Sequence, residues 1–264
     1  MVNIGSFSSG LSSAVACDRL LRVHPDAWIV FEDVLIEDDD NYRFMADCER
    51  RWERKIIVLK EGRSPYEVSR AGRVIPNSLL APCSHRLKIE LFKAWLLTLP
   101  DQEITIHIGF DYTELERMDR SRKGYAEMGY TVDFPLEWTP RDFRPYKQIV
   151  KDDWGIEPPR MYRMGYTHAN CGGRCCKQGQ GDWIRTLINF PDRYAQIEKW
   201  EQDMRQLSEK HGKRSICKRI VGKEVQALTL EQLRQEYEAV EGRMDLCTLD
   251  EQSPCVVCGI GGDA

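Results

Sequence analysis

Apolar positions recur at two alternating spacings through the first half of the chain. Val2, Ile4 and Phe7 form a short run that reads as a buried strand; beyond a small, hydroxyl-rich stretch from Ser8 to Ser13, Ala14, Val15, Leu20 and Leu21 recur at helical spacing. Ala27 to Phe31 predicts a second strand, and Asn41 to Trp52 an amphipathic helix with Phe44, Cys48 and Trp52 on one side. Lys55 to Lys60 holds a third strand, while Leu87, Leu91, Ala94, Trp95 and Leu97 mark a further helix. Glu103 to Phe110 and Thr131 to Leu136 complete five strands. Thr139-Pro140-Arg141-Asp142 joins an N-cap, a proline at the first helical position and an acid at the third, and so predicts a helix there. Strands alternating with helices predict an α/β, Rossmann-like parallel sheet with helices on both faces.

Pro158-Pro159 closes this pattern, so residues 1–158 are expected to form the α/β domain and 159–264 a helical, cysteine-rich region. Trp183, Leu187 and Ile188 lead into Tyr194, Ile197, Trp200, Met204 and Leu207. Thr229-Leu-Glu-Gln232 is a capping box ahead of Leu233 and Tyr237.

In open parallel sheets, ligands sit beyond the carboxyl ends of the strands. After the first predicted strand come Ser8, Ser9, Gly10, Ser12 and Ser13, a small-residue turn opening a helix. That arrangement presents free N–H groups and a helix dipole to an anion, or else its serines simply cap the helix. After the second come Asp33, Glu37, Asp38, Asp39 and Asp40, either a solvated acidic loop or a Mg²⁺ site beside phosphates. Arg63 follows the third; Asp111 and Glu114 follow the fourth. Arg86 and Lys88 near a helix start oppose its dipole, a cost that a bound anion would relieve.

With 264 residues, 42% hydrophobic and 30% charged, the chain suits one sizeable globular domain with a smaller appended unit. A net charge of -4 does not advertise nucleic acid or membrane, although Arg117, Arg120, Arg122 and Lys123 are either a nucleic-acid contact or a solvated helix face. Apolar runs such as Ile104 to Phe110 are too short to span a bilayer, and no secretion signal is apparent, so a cytoplasmic location without membrane partners is expected. Of ten cysteines, seven lie from position 171 onward. Such clustering favours metal over disulfides. Cys171, Cys175 and Cys176 in a glycine-rich loop, with Cys255 and Cys258 far downstream, predict a thiolate site for a 4Fe-4S cluster or, alternatively, Zn²⁺. Cys83 reads as a small buried residue or a reactive thiol.

Ser8-Ser9-Gly10-Leu11-Ser12-Ser13 resembles the Ser-Gly-Gly-x-Asp-Ser loop of the PP-loop ATP pyrophosphatases, the adenine nucleotide alpha-hydrolase superfamily that includes the PAPS and APS reductases; Ser9 stands for a glycine and Ser12 for the aspartate. Cys83 to Lys88 is similar to the Cys-x-x-x-Leu-Lys stretch of PAPS reductase-like proteins. Gly109 and Glu114 match a Gly-x-Arg-x-x-Glu-Ser segment in which Asp111 replaces the arginine, and Asp33 matches the acid of an Asp-Thr-Gly segment. Cys175-Cys176 with Cys255-x-x-Cys258 resembles the pattern of cluster-containing APS reductases. The resemblance implies that Ser6, Ser8, Ser9, Gly10, Ser12, Ser13, Gly109 and Glu114 bind ATP or a related adenine nucleotide. It also implies that Asp33 orients Mg²⁺, that Lys88 neutralises charge at the α-phosphate and that Cys83 takes part in the chemistry. Three activities follow from it: adenylation of a nucleic-acid or sulfur-carrier acceptor with pyrophosphate release, thiol-dependent reduction of PAPS or APS, or nucleotide binding without catalysis.

Overall fold

A computed structural model of the chain describes residues 1–221, 224–240 and 243–244. In order, the elements are β1 (Val2–Ser6), α1 (Leu11–Val23), β2 (Trp28–Asp33), α2 (Asp39–Trp52), β3 (Ile56–Lys60), α3 (Pro65–Ala71) and α4 (Pro82–Ser84). A π-helical turn, His85–Glu90, joins α4 to α5 (Leu91–Leu96); β4 (Ile104–Ile108), α6 (Leu115–Ala126), β5 (Thr131–Asp133), α7 (Tyr146–Gln148) and α8 (Arg160–Arg163) follow. The remainder is α9 (Gln180–Asn189), α10 (Pro191–Arg205), α11 (Glu209–Gly212), β6 (Cys217–Val221), β7 (Glu224–Leu228) and α12 (Leu230–Ala239).

The first five strands form one parallel sheet in the order β3-β2-β1-β4-β5. The fold class is therefore α/β and Rossmann-like. Its direction of winding reverses at β1, which pairs β2 on one side and β4 on the other, opening a crevice beyond the carboxyl end of β1. Side chains alternate across the sheet as the pleat requires. Ile29 and Phe31 pack with Leu11, Val15 and Leu20 of α1 and Phe44 and Cys48 of α2, whereas Ile4, Val30 and Ile106 pack with Phe92 and Leu96 on the opposite face. A further core joins Trp183, Tyr194, Ile197, Trp200 and Met204 to Leu228, Leu230 and Leu233, and reaches Tyr66 and Cys176.

Thr229 and Gln232 form the expected capping box of α12. The helix expected from Thr139 does not form. The carbonyls of Trp138 and Pro140 accept from the Arg19 guanidinium, the Arg144 N–H turns to the Asp142 carboxylate at 3.0 Å, and Pro145 disfavours helical geometry at Arg144. A helical turn begins only at Tyr146. The antiparallel β6–β7 pair is not legible as strand in the sequence because most of its side chains are at least partly exposed, leaving no two-residue alternation to read. Among the described residues no helix is long and apolar enough to cross a membrane.

Candidate functional site

The turn from Ser8 to Ser13 fills the crevice at the end of β1. Ser13 latches it from inside: its hydroxyl accepts from the Ser8 N–H at 3.0 Å, lies 3.0 Å from the Ser8 hydroxyl and donates to the Gly10 carbonyl at 3.0 Å. Gly10, the N-cap of α1, supplies no side-chain cap, and the Leu11 N–H reaches the Tyr162 hydroxyl only at 3.4 Å. The N–H groups of Ser9, Gly10, Ser12 and Ser13 have no protein acceptor among the described residues. Ser9 lies at φ 57°, the left-handed region that favours glycine. Its hydroxyl is buried without a hydrogen-bond partner. Unclaimed donors at the start of a 13-residue helix are chemically able to receive an anion. Ser6 ends β1 directly beneath this turn. Gly109, just past β4, lets the two segments touch: a Cβ there would lie 2.8 Å from the Ser13 Cα and 3.0 Å from its N.

Asp33 ends β2 and is held by three partners within the protein. Oδ1 accepts from the Leu35 N–H and the Tyr42 hydroxyl, both at 2.8 Å, and Oδ2 pairs with Lys60 Nζ at 3.0 Å. The acidic run beyond it is largely buried wiring rather than a solvated loop. Asp38, with no exposed side chain, caps α2 and pairs with Arg160 and Arg193 at 2.7 Å each. Asp40 takes the Arg160 N–H and the Arg43 fork. Glu37 accepts from Asn41 and from the Cys171 N–H. No carboxylate group converges on a Mg²⁺ position among the described residues.

Lys88 does not join Arg86 at the surface. Arg86 pairs with Glu90 at 2.7 Å, whereas Lys88, on the π-helical turn, is flanked by Glu32, Glu37, Cys171 and Cys175. Burial works against its charge, but Glu37, Cys171 and Glu32 outweigh that and hold its pKa above the ordinary value. Burial pushes Glu32 up to about 7, with Lys88 pulling the other way, and raises Glu37 in the same manner. Around them the structure gathers four thiols. Cys83, from α4, is electrostatically coupled to Cys176, and Cys171 to Cys175. Cys176, with the Ser84 amide, Lys177 and Lys88, brings Cys83 down to about 7 against its burial.

Gly109 and Glu114 lie at the same sheet edge, but Glu114 is paired with Arg117, and Asp111 accepts from Thr113 and from the Tyr146 hydroxyl at 2.7 Å. Arg117 and Arg122 lie over Phe110 and Phe134. Cys255 and Cys258 lie outside the described residues. Tyr162 and Glu32, absent from the expected site, carry no local motif; only folding brings them to it.

No protein-family model matches the chain. No curated protein matches it either. Among solved structures it is similar to the phosphate complex of phosphoadenylyl-sulfate (PAPS) reductase from Candida auris, at 17% identity, 63% of this chain, 79% of that chain and a TM-score of 0.45. The Rossmann-like order stands on the strand pairing itself.

Proposed function

We propose that this chain is a PAPS reductase-like adenine-nucleotide enzyme that seats ATP on the Ser8–Ser13 turn and activates an acceptor by adenylation. The observation that carries this reading is the Ser9 hydroxyl, buried without a partner among unclaimed amides at the start of α1. In the reaction an acceptor nucleophile bonds to the α-phosphorus, the bridge to the β-phosphate breaks, and pyrophosphate leaves with the bonding electrons. In this reading the unclaimed amides at the start of α1 and the Ser9 hydroxyl would stabilise the charge that develops on the phosphates. The acceptor in this reading is a nucleic acid or a sulfur carrier. Among the described residues no group of carboxylates gathers with Asp33 around a Mg²⁺ position, so no step is assigned to a protein-held ion.

One observation favours a second reading. The Cys83 thiol, held near neutrality beside Cys176, has the character of a nucleophile. It would attack the sulfur of PAPS or APS, forming an S–S bond as the S–O bond breaks and the nucleotide departs. A second thiol would then displace sulfite and leave a disulfide. Assays of pyrophosphate released from ATP and of sulfite released from PAPS or APS separate the two. Calorimetric titration with all three nucleotides tests the common premise, and no binding by any of them would dismiss both readings.

A further inference from the structure

Charge is concentrated on the approach to the β6–β7 ribbon. From Lys210 to Arg219 the sequence holds five cations, Lys210, Lys213, Arg214, Lys218 and Arg219, and no carboxylate, in a chain of net charge -4. The ribbon they lead into is antiparallel, with a register that pairs Lys218 with Ala227 and Ile220 with Val225. Cross-strand partners share a face, and the next pair points the other way. One face therefore starts at the buried Cys217 and Leu228 and carries Arg219, which pairs with Glu236 of α12 at 2.6 Å. The other carries Lys218, Ile220, Val225 and Ala227. Ile220 and Val225 are 58% and 65% exposed, and Ala227 is exposed beside them. The root of the ribbon is held in place. The Glu201 carboxylate accepts from the Ile216 and Leu230 N–H groups at 2.7 Å each, Ser215 Oγ accepts from the Leu228 N–H at 3.0 Å, and Gln180 donates to the Lys218 carbonyl at 2.9 Å. An open face on a fixed root needs little further ordering when a partner arrives. Among the described residues no carboxylate pairs with Lys210, Arg214 or Lys218, and Lys213 pairs with Glu209 at the open surface, where such a pair contributes little.

We propose that the Lys218, Ile220, Val225 and Ala227 face of the β6–β7 ribbon, with the cations that lead into it, docks into the major groove of duplex DNA. Two strands about 4.8 Å apart make a ribbon that a B-form major groove, about 12 Å wide, admits. Arg214 and Lys218, free of carboxylate partners, suit the phosphates along the rim of the groove. Ile220, Val225 and Ala227 suit the thymine methyl groups on its floor. An RNA duplex offers a major groove too narrow for such a ribbon. A second copy of the chain fits less well. Three small apolar side chains fall far short of the roughly 1,200 Å² of a stable protein interface, and a two-fold axis through this face would set Lys218 close to its own copy. The proposal narrows the acceptor of the adenylation reading to DNA and rests on that reading only to this extent, since docking itself needs no nucleotide.

The full chain, without nucleotide, is titrated into a fluorescein-labelled DNA duplex of two helical turns and followed by anisotropy at stepped salt, beside the single strand and an RNA duplex of the same sequence. The DNA duplex is expected to bind most tightly, with an affinity that falls as salt rises. Arg214→Ala with Lys218→Ala should reduce the slope of log affinity against log salt by about two, one for each lost phosphate contact. Ile220→Asn with Val225→Asn should weaken binding about tenfold at every salt and leave the slope unchanged. Arg120→Ala with Lys123→Ala, on the exposed side of α6, should bind as the wild type does. Melting temperatures confirm that each variant folds, and ATP titration of the same samples scores the nucleotide site separately. Four results would each overturn the proposal: no salt-dependent binding of the DNA duplex, a preference for the single strand or the RNA duplex, wild-type binding by either ribbon variant, or loss of binding in the α6 variant. A dimer in sedimentation that Ile220→Asn with Val225→Asn dissolves would also overturn it, making this face a contact between copies.

Discussion

Gly109 and Ser13 meet backbone to backbone. A methyl group at Gly109 would lie 2.8 Å from the Ser13 Cα and 3.1 Å from the Ser12 carbonyl, closer than carbon atoms rest, and neither neighbour is a side chain that can turn aside. The end of β4 thereby sets how deeply the start of α1 sits in the crevice. Gly109→Ala is expected to cost about 1–3 kcal/mol of stability, the usual range for overpacking. It should also weaken ATP binding by displacing the Ser13 latch. Thermal melting and calorimetric titration check both; wild-type affinity in the variant would mean that the latch does not position the seat.

Ser9 separates stability from binding. A buried hydroxyl without a partner carries a desolvation penalty in the free protein. Ser9→Ala keeps the backbone near its φ of 57° and should leave the melting temperature unchanged or slightly higher. The same change should weaken ATP binding by about tenfold, or ~1.4 kcal/mol, within the range of one hydrogen bond to a charged group. Equal ATP affinity in the two proteins would remove Ser9 from the seat.

Asp38 binds the acidic segment after β2 to the chain beyond Pro159 through Arg160 and Arg193. Removing one member of a buried pair costs about 3–5 kcal/mol; with Arg160 and Arg193 side chains 33% and 20% exposed, Asp38→Asn is expected to cost less, about 2–3 kcal/mol. Burial raises the Asp38 pKa, but its hydrogen bonds from Arg160 and Arg193 lower it by more. A carboxylate with a folded pKa below its unfolded one stabilises fully above the unfolded value of about 4 and loses that contribution as pH falls through the folded value. Acid unfolding of the wild type should therefore carry a component below about pH 4 that Asp38→Asn lacks, as denaturant titrations at stepped pH would reveal.

Glu32 has the opposite sign. Burial lifts its pKa to about 7, with Lys88 opposing. Between an unfolded pKa of about 4.3 and this value, the folded state binds a proton that the unfolded chain has released. Stability on its account falls as pH rises through that window and levels off above it. Glu201, pushed up to about 7 by burial although it accepts from the Ile216 and Leu230 N–H groups, adds to the same slope. Glu32→Gln should flatten the decline between about pH 5 and pH 7 without abolishing it. An unchanged slope in the melting temperature against pH would count against this account of Glu32.

Two of the expected sites show how far local pattern reaches. The Ser8–Ser13 turn is legible because a strand, a small-residue turn and a helix are contiguous, and the feature they create needs only neighbours in sequence. Asp33 and Lys88 can be assigned to the carboxyl edge of the sheet from the strand pattern, but their partners cannot. Lys60 and Tyr42 reach Asp33 from β3 and α2, and Glu32 and Cys171 reach Lys88 from β2 and the loop before α9. The charge density from Glu37 to Asp40 reads as solvent-facing or metal-binding because the arginines that neutralise Asp38 stand at 160 and 193.

By itself the sequence determined the alternation of strands and helices, the position of the small-residue turn after β1 and the capping of α12, since each depends on side-chain periodicity or on groups a few residues apart. Tertiary structure alone decided that the winding reverses at β1, that Asp38 and Asp40 after β2 face arginines rather than water, and that Cys83 stands with Cys171, Cys175 and Cys176. Those are contacts between segments far apart along the chain, chosen by how the faces of the sheet and helices bury one another, and no local spacing encodes them.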